Sequence, residues 1–302
     1  MELWIPDQAG RGAVGELPDD VRLNVFARKG PPPDVVLNAE FLVPSHATRG
    51  LLELLPRMES LAVIQALSAG IDWLMPAVPR GVTLCNARGT RDGAVAEWVI
   101  AALLALTKNL PELQNRQLEH QWQWTEPGDL AGRRVMILGY GSIGKAVERR
   151  LKGFDVEIIR VARQRRRGVY QIQELPALLT STEVLVVLLP FTAETEGLLS
   201  ENMLARLPPG ALVINAARGG IVENAGLLTL LQAGRLRAAL DVTDPEPLPE
   251  DHPLWDAPGV LITPHVAGDS PAASRNAFAL VGDQVRRYVR GEQLANVVEH
   301  RQ

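Results

Sequence analysis

The chain has 302 residues, a length that suits two folded domains better than one. Hydrophobic residues make up 46% and charged residues 22% of it, as in ordinary globular proteins, so a disordered or repetitive chain is excluded. The formal net charge of -4 provides no overall attraction for nucleic acid or for an anionic membrane, and we expect neither as a partner. The single cysteine, Cys85, excludes an intramolecular disulfide and a multi-cysteine zinc site, and no metal site is predicted.

The N-terminal residues 1–7 lack the basic start and apolar run of a signal peptide, and they indicate a strand instead. The longest apolar stretch, residues 98–107, is far shorter than the roughly 20 residues needed to span a bilayer. Together with the cysteine usage, these features predict a cytoplasmic protein.

The first ninety or so residues contain short apolar runs separated by prolines and glycines, which predicts a small α/β domain. Its candidate strands are residues 23–26, 35–37, 62–65 and 82–84. Residues 95–106 then predict a helix that is apolar on nearly every face, and Trp122 and Trp124 follow it in a polar stretch. Such a helix must be buried on all sides, either within one subunit or between two subunits.

From residue 133 onward, six short apolar runs recur at intervals of about 21 to 28 residues, the length of a strand, a crossover helix and two turns. The runs are residues 135–138, 156–161, 184–189, 211–214, 238–242 and 260–263. The run at 184–189 is apolar throughout, which is typical of a strand covered on both faces. The pattern predicts an α/β fold with a doubly wound parallel sheet.

A glycine motif follows the first of these strands directly and stands at a predicted helix start. Gly139 allows a tight turn, Gly141 lets the backbone approach a pyrophosphate, and Gly144 allows close packing of helix on sheet. Free N–H groups at Ser142 and Ile143 and the helix dipole would attract the anion. The motif therefore predicts a dinucleotide site.

The second strand of a dinucleotide-binding sheet usually ends in an acidic residue that binds the adenosine ribose. Here the strand ends without Asp or Glu, and the arginines at 163, 165, 166 and 167 follow it. Guanidinium groups suit a 2'-phosphate, so NADP(H) is favoured, with Arg163 and Arg165 as candidate ligands and NAD(H) still possible. A solvated basic loop is the alternative interpretation.

Three polar residues follow the last three predicted strands, at the edge where ligands bind in such sheets: Arg218, Glu246 and His265. A fixed cation can orient a keto acid and polarise its carbonyl, and an imidazole can exchange a proton with the oxygen. His252 lies in a proline-rich loop away from a strand end, and we interpret it as a decoy.

Apolar residues at helical spacing between Pro271 and Tyr288, followed by Gly291, predict a last helix. From the sequence alone this helix can pack on either domain. The chain after it is short, so we expect no additional regulatory domain.

These motifs together resemble the D-isomer-specific 2-hydroxyacid dehydrogenases over nearly the whole chain. The resemblance is carried by the segments 139–144, 189–192, 215–222, 240–249 and 263–268. It implies an NAD(P)-dependent dehydrogenase or 2-ketoacid reductase, with a Rossmann dinucleotide-binding domain at residues 91–269. It also implies a smaller flavodoxin-like substrate-binding domain at residues 1–90 and 270–302. One departure from the family pattern is Thr243-Asp244, where an aromatic-acidic pair is usual.

The resemblance also implies residue roles. His265 would be the general acid and base, Glu246 would pair with it and stabilise its charged form, and Arg218 would orient the substrate. Backbone N–H groups at Ala69 and Gly70 would bind the substrate carboxylate. Pro190, Ala216 and Asp241 would line the cofactor site, with a purely structural role as the alternative for Asp241. The expected substrate is a small 2-keto or 2-hydroxy acid of the glyoxylate or hydroxypyruvate type.

The resemblance further implies a homodimer formed through the region of residues 95–124, whereas burial within one subunit is the other explanation for the apolar helix. Two other functions stay open. A dinucleotide-sensing corepressor shares this fold, and a formate dehydrogenase fits less well because its relatives carry glutamine in place of Glu246.

Overall fold

The computed structural model describes residues 1–45, 47–48 and 50–299, which fall into two compact units. Unit 1 comprises Met1–Arg91 and Asp269–Gln302, and unit 2 comprises Asp92–Gly268. Each junction differs by one residue from the boundaries expected from the sequence. Arg91 and Asp269, the residues at the two junctions, form an ion pair within unit 1. Residues 300–302 of the expected first domain lie outside the described residues.

The N-terminal part of unit 1 alternates short strands and short helices. Its elements are β1 (Glu2–Ile5), α1 (Gly10–Val14), β2 (Arg22–Val25), β3 (Phe41–Leu42), α2 (Leu51–Leu54), β4 (Val63–Gln65) and β5 (Thr83–Cys85). The strands form a parallel sheet in the order β2-β1-β3-β4-β5, which is the flavodoxin-like order. Hydrophobic clusters cover both faces of this sheet, as its continuous apolar strands require.

The prediction of a strand at residues 35–37 is wrong, because these residues lie in the 3-10 helix Asp34–Asn38. Pro33 is the extended N-cap residue of this helix, and Asp34 lies in its first turn, where a carboxylate favours the helix dipole. Val36 is buried in the core, whereas its neighbour Val35 is exposed. One buried and one exposed residue in succession occur in a helical turn as well as in a strand.

Unit 2 contains a larger sheet with helices between its strands. Its elements are α3 (Asp92–Thr107), α4 (Leu110–Leu118), β6 (Arg134–Leu138), α5 (Ser142–Leu151), β7 (Glu157–Ala162), β8 (Tyr170–Gln171), α6 (Leu175–Leu178), β9 (Val184–Val187), α7 (Glu201–Leu204), β10 (Ala211–Asn215), α8 (Asn224–Gln232), β11 (Leu236–Leu240) and β12 (Val260–Ile262). All strands are parallel, in the order β12-β11-β10-β9-β6-β7-β8. The strand order reverses between β6 and β9, which confirms the predicted doubly wound sheet.

The last helix, α9 (Pro271–Val289), returns to unit 1 and packs on α1. Phe278 lies directly against Gly10, where a Cβ atom would be 2.4 Å from the ring, so only glycine fits in α1 at that position. The ring of Tyr288 meets that of Phe41 edge-on at 6.1 Å. The helix therefore covers one face of the small sheet.

Helix α3 packs on the large sheet through Val95, Val99 and Leu103, while Trp98, Ile100 and Leu104 are only half-buried. Within the described ranges, no single helix is long and apolar enough to cross a membrane. Helices α3 and α4 reach that threshold only when they are counted together across a bend of 65°.

Candidate active site

The turn between β6 and α5, residues 139–144, is named the glycine turn, and backbone sterics explain its glycines. Gly139 has a φ of 104°, and a Cβ atom on it would lie 2.5 Å from the carbonyl carbon of Leu188. A Cβ atom on Gly141 would meet no atom within 4 Å, so space is open beside it. Gly144 lies against Ile137 and the carbonyl oxygen of Gly139, with only 3.0 Å for a Cβ atom. The local sequence thus fixes a tight turn with an open outer side.

The first turn of α5 offers backbone donors to a ligand. Among the described residues, the N–H groups of Ser142, Ile143 and Gly144 donate to no protein acceptor, and no side chain caps the helix. The positive end of the helix dipole adds to their pull on an anion. The open space at Gly141 and these free donors fit a dinucleotide pyrophosphate.

The loop after β7, residues 163–167, is named the basic loop. Arg163 is exposed, and Arg165 forms a long ion pair of 3.7 Å with Glu174. Arg166 instead donates from Nη2 to the carbonyl oxygen of Tyr140 at 2.9 Å, which ties the basic loop to the glycine turn. The sequence analysis included Arg166 among the arginines of this loop but did not select it as a candidate ligand. Its backbone forms an antiparallel bridge with Val169.

A cluster beneath the glycine turn joins Tyr140, Glu148 and Arg160. Arg160 donates from Nε and Nη2 to the two carboxylate oxygens of Glu148 at 2.8 and 2.6 Å, and the Tyr140 hydroxyl group also donates to Glu148. These bonds to the arginine hold the pKa of Glu148 down to about 2. The cluster connects α5 to β7. Because Arg160 is paired with Glu148, the arginines of the basic loop are the candidates for binding a phosphate group.

Three polar residues lie at the carboxyl ends of the neighbouring strands β10, β11 and β12. The Nδ1 atom of His265 is 2.6 Å from Oε1 of Glu246, and both side chains are nearly half exposed at 45% and 41%. Because a carboxylate only accepts hydrogen bonds, Nδ1 carries the proton and Nε2 is left to face a ligand. The structure thus brings the predicted imidazole and carboxylate together.

Arg218 follows β10, and its turn packs on the loop that carries Glu246. Nη1 of Arg218 donates to the carbonyl oxygen of Ala217 at 2.7 Å. A Cβ atom on the next residue, Gly219, would lie 2.0 Å from the carbonyl oxygen of Thr243, so the two backbones touch. Thr243 and Asn224 bond to the carbonyl oxygens of Pro245 and Asp244 and so hold the loop up to Glu246.

Asp241 is buried under the turn at residues 263–267, here named the histidine turn. Its Oδ1 accepts from the Thr263 hydroxyl group at 2.6 Å and from the Val266 N–H at 2.9 Å, and its Oδ2 accepts from the Ala267 N–H at 2.9 Å. His265 itself has a left-handed φ of 55° and donates its N–H to the Asp241 carbonyl oxygen at 2.8 Å. Asp241 therefore supports the histidine turn, which is the structural role that the sequence analysis leaves open beside a cofactor contact.

Other predicted residues lie at the same edge of the unit 2 sheet. Pro190 follows β9 and is exposed, and its carbonyl oxygen accepts from the Thr195 hydroxyl group at 2.7 Å. Ala216 follows β10 and is half-buried. His252, which the sequence analysis sets aside as non-catalytic, accepts a hydrogen bond at Nδ1 from the Leu254 N–H, and so stabilises its own loop.

Ala69 and Gly70 lie in unit 1, in the loop after β4 that is named loop 66–70. Every carbonyl oxygen of this loop accepts a hydrogen bond. The donors are, in order from residue 66, Gln65 Nε2, Arg91 Nε, Ala87 N, Asn86 Nδ2 and Ser68 Oγ. In the described chain, the N–H groups of residues 67–71 donate to no protein acceptor. A loop with satisfied carbonyls and free N–H groups is suited to an anion.

Comparison with known proteins places these features in a family. The model of the NAD-binding domain of D-isomer specific 2-hydroxyacid dehydrogenases matches residues 100–267. The chain is 34% identical over 229 residues to a glyoxylate/hydroxypyruvate reductase A from Yersinia enterocolitica, covering 71% of this chain and 73% of that one. It is 29% identical over 269 residues to a D-3-phosphoglycerate dehydrogenase from Archaeoglobus fulgidus, covering 86% of this chain.

The chain spans only 51% of the length of that phosphoglycerate dehydrogenase. Among solved structures, a D-isomer specific 2-hydroxyacid dehydrogenase from Xanthobacter autotrophicus in complex with NADPH and MES is similar, with a TM-score of 0.84 and 28% identity. That match covers 99% of this chain and 97% of the other. With its glycine turn, its His265–Glu246 pair and these matches, the chain belongs to the D-isomer specific 2-hydroxyacid dehydrogenase family.

Proposed function

We propose that this chain is an oxidoreductase that transfers a hydride between NADP(H) and a small 2-keto or 2-hydroxy acid of the glyoxylate or hydroxypyruvate type. The observation that carries the proposal is the 2.6 Å contact between His265 Nδ1 and Glu246 Oε1 at the carboxyl edge of the unit 2 sheet. In a family of 2-hydroxyacid dehydrogenases, this pair supplies the proton chemistry that a carbonyl reduction needs.

In the direction of reduction, the bound cofactor would supply the hydride to the carbonyl carbon of the keto acid. His265 in its charged form donates the Nε2 proton to the carbonyl oxygen and becomes neutral, which yields the hydroxyl group. Glu246 holds the proton on Nδ1 throughout, so Nε2 is the atom that exchanges a proton with the substrate. The guanidinium of Arg218 stabilises the negative charge that develops on the oxygen.

The free N–H groups of loop 66–70 support the assignment of Ala69 and Gly70 to the substrate carboxylate. Two adjacent peptide donors suit the two oxygens of a carboxylate, and they need no positive side chain to do so. This assignment is consistent with substrates whose only fixed charge is the 2-carboxylate.

The activity is tested by a panel of 2-keto acids assayed with NADPH and with NADH, following the absorbance of the reduced nicotinamide. We expect turnover with glyoxylate or hydroxypyruvate, and we expect His265→Ala to lower kcat at least about a hundredfold with NADPH affinity nearly unchanged. His252→Ala is the matched control and should keep wild-type kcat. Binding of NADPH without turnover of any keto acid would favour a dinucleotide-sensing protein instead.

The preference for NADP(H) is supported by the basic loop, which lies where an NAD-dependent sheet carries an acid. Arg163, Arg165 and Arg166 provide the cations, while Arg160 is paired with Glu148. The Xanthobacter relative was solved with NADPH, which agrees with this proposal.

Replacing Arg163 and Arg165 by alanine should weaken NADPH binding at least about tenfold and leave NADH binding within about twofold. Arg206→Ala, an exposed arginine that precedes β10 and so lies at the opposite ends of the strands, is the control. Equal losses of affinity for NADPH and NADH would contradict the assignment of the 2'-phosphate to the basic loop.

We also propose a homodimer formed through α4 and the chain after it. Leu110, Leu118, Trp122 and Trp124 expose large apolar side chains there, and the two tryptophans are 105% and 80% exposed. Aromatic side chains of this kind are enriched in interfaces. Light scattering after size exclusion should give a dimer for the wild type and a monomer when both tryptophans are replaced by alanine, with Trp255→Ala as the control.

The cytoplasmic location stays a prediction.

A further inference from the structure

We propose that Asn86 is a positioning residue for substrate binding, because its side chain orients the peptide that joins Ala69 to Gly70. The Nδ2 atom of Asn86 donates to the carbonyl oxygen of Ala69 at 3.3 Å. The inference rests on the proposed function in one respect, namely that loop 66–70 binds the substrate carboxylate.

Peptide geometry connects this hydrogen bond to the ligand. The carbonyl group of Ala69 and the N–H group of Gly70 belong to one planar trans peptide, so they point in opposite directions. When Asn86 holds the carbonyl oxygen on one side, the Gly70 N–H must point to the other side. That N–H is one of the donors in this loop that have no acceptor within the described chain.

The side chain of Asn86 is itself held in one orientation. Its Oδ1 accepts from the Arg88 N–H at 3.1 Å, which leaves the amide NH₂ directed at Ala69. The backbone N–H of Asn86 donates to the carbonyl oxygen of Asn296 at 3.1 Å. Asn86 is therefore fixed at its backbone and at its side-chain oxygen, and its amide group is the part that acts on loop 66–70.

The chain after α9 supplies this support as an added edge of the small sheet. Val297 forms an antiparallel bridge with Cys85 of β5, and the Val298 N–H donates to the Leu84 carbonyl oxygen at 2.8 Å. Gln284 of α9 anchors the same segment, donating to the Ala295 carbonyl oxygen and accepting from its N–H at 2.7 and 2.8 Å. The C-terminal segment thus locks the residue that orients the substrate loop.

A purely structural role for Asn86 would act through Arg88 rather than through Ala69. Two substitutions separate these roles. Asn86→Asp keeps the acceptor for the Arg88 N–H but loses the donor to Ala69, whereas Asn86→Ala loses both without adding a charge. Both variants keep the backbone bond to Asn296, so both are expected to fold.

The test measures oxalate binding by calorimetry in the presence of NADPH, together with KM for glyoxylate and for NADPH. We expect both variants to bind oxalate at least about tenfold more weakly and to raise KM for glyoxylate similarly, with KM for NADPH within about twofold. Asn24→Ala is the control, since Asn24 also makes a side-chain bond but lies on β2 at the opposite edge of the same sheet. Wild-type oxalate affinity in either Asn86 variant would overturn the positioning role.

Failure of the proposed reaction gives a different result. If the wild type binds oxalate but reduces no keto acid, the proposed reaction is wrong, and the oxalate affinities of the two variants still decide the role of Asn86. If the wild type binds no oxalate, loop 66–70 is not a carboxylate site and the positioning role falls with it.

Discussion

Among the described residues, the glycine turn and loop 66–70 both present backbone N–H groups without protein acceptors, and they are built in different ways. In the glycine turn of unit 2, the start of α5 frees the donors. Gly139 is needed because a Cβ atom would lie 2.5 Å from the backbone of Leu188, and Gly144 leaves only 3.0 Å for a Cβ atom. In loop 66–70 of unit 1, side chains such as Asn86 and Arg91 bind the carbonyl oxygens and so direct the donors outward. The first turn depends on local backbone sterics, whereas two of the five carbonyl contacts of the second come from side chains of a later segment, Asn86 and Arg91.

The largest expected effect is on the glycine turn. In Gly139→Ala the new methyl group would lie 2.5 Å from the backbone of Leu188 and would also force alanine to a φ of 104°. Together these should destabilise unit 2 by about 3 kcal/mol or more and abolish NADPH binding. Urea unfolding and NADPH titration measure both effects. Gly153→Ala is the matched control, because a Cβ atom there meets no atom within 4 Å. Normal NADPH affinity in Gly139→Ala would refute the steric explanation.

A second prediction tests the side-chain construction of loop 66–70. Gln284 is fully buried and donates to Oε1 of Gln65 at 3.0 Å as well as to Ala295. Gln284→Leu would leave these partners unsatisfied, so we expect a loss of about 3 kcal/mol in unfolding free energy. KM for the keto acid should rise while NADPH affinity stays normal, which is the opposite of the Gly139→Ala result. Gln293→Leu, at an exposed position, is the control and should change neither the unfolding free energy nor KM. An unchanged KM in Gln284→Leu would show that the hydrogen bonds of Gln284 do not support loop 66–70.

The same difference explains what the sequence could predict. The strands of the large sheet follow from their continuous apolar runs, and the glycine turn follows from a local motif. Strands β3 and β8 have only two residues each, too few to show a pattern, and residues 35–37 satisfy a helical turn as well as a strand. The side-chain supports of loop 66–70 could not be predicted, because Asn86, Arg91 and Gln284 become its neighbours only when unit 1 folds.

The His265–Glu246 pair shows the same limit. Both residues could be predicted because each follows a strand, but the hydrogen bonds by which Asp241 holds the histidine turn could not. An aspartate at a strand end can contact a ligand or hold a backbone turn, and only the structure shows that its oxygens accept from Thr263, Val266 and Ala267.

A third prediction tests the support of the histidine turn by Asp241. Asp241→Asn replaces an acceptor oxygen by an NH₂ group, which cannot accept from the N–H groups of the histidine turn, and His265 should shift. We expect kcat to fall about tenfold to a hundredfold and stability to fall by about 2 kcal/mol, with NADPH affinity within about threefold. Asp256→Asn, at an exposed position, is the control. A loss of cofactor affinity at unchanged kcat would instead favour the cofactor contact that the family resemblance implies.

The smallest effect is expected from Glu148→Gln, which tests whether the glycine turn needs any side-chain support. The Glu148 side chain is only 13% exposed and binds Arg160 through both oxygens, so its loss should cost about 1 kcal/mol at neutral pH. NADPH affinity should stay within about threefold, because backbone sterics set the turn. A tenfold loss would mean that this turn, like loop 66–70, relies on distant side chains.

The pH dependence of the same variant gives a second check. Arg160 lowers the pKa of Glu148 from 4.5 to about 2, so the folded state favours the charged carboxylate. The stabilisation is therefore complete above the unfolded pKa and is lost as the pH falls from about 4.5 towards 2. The glutamine does not titrate, so the difference in unfolding free energy between wild type and variant should be smaller at about pH 4 than at about pH 7. A difference that grows on acidification would contradict the Arg160–Glu148 pairing.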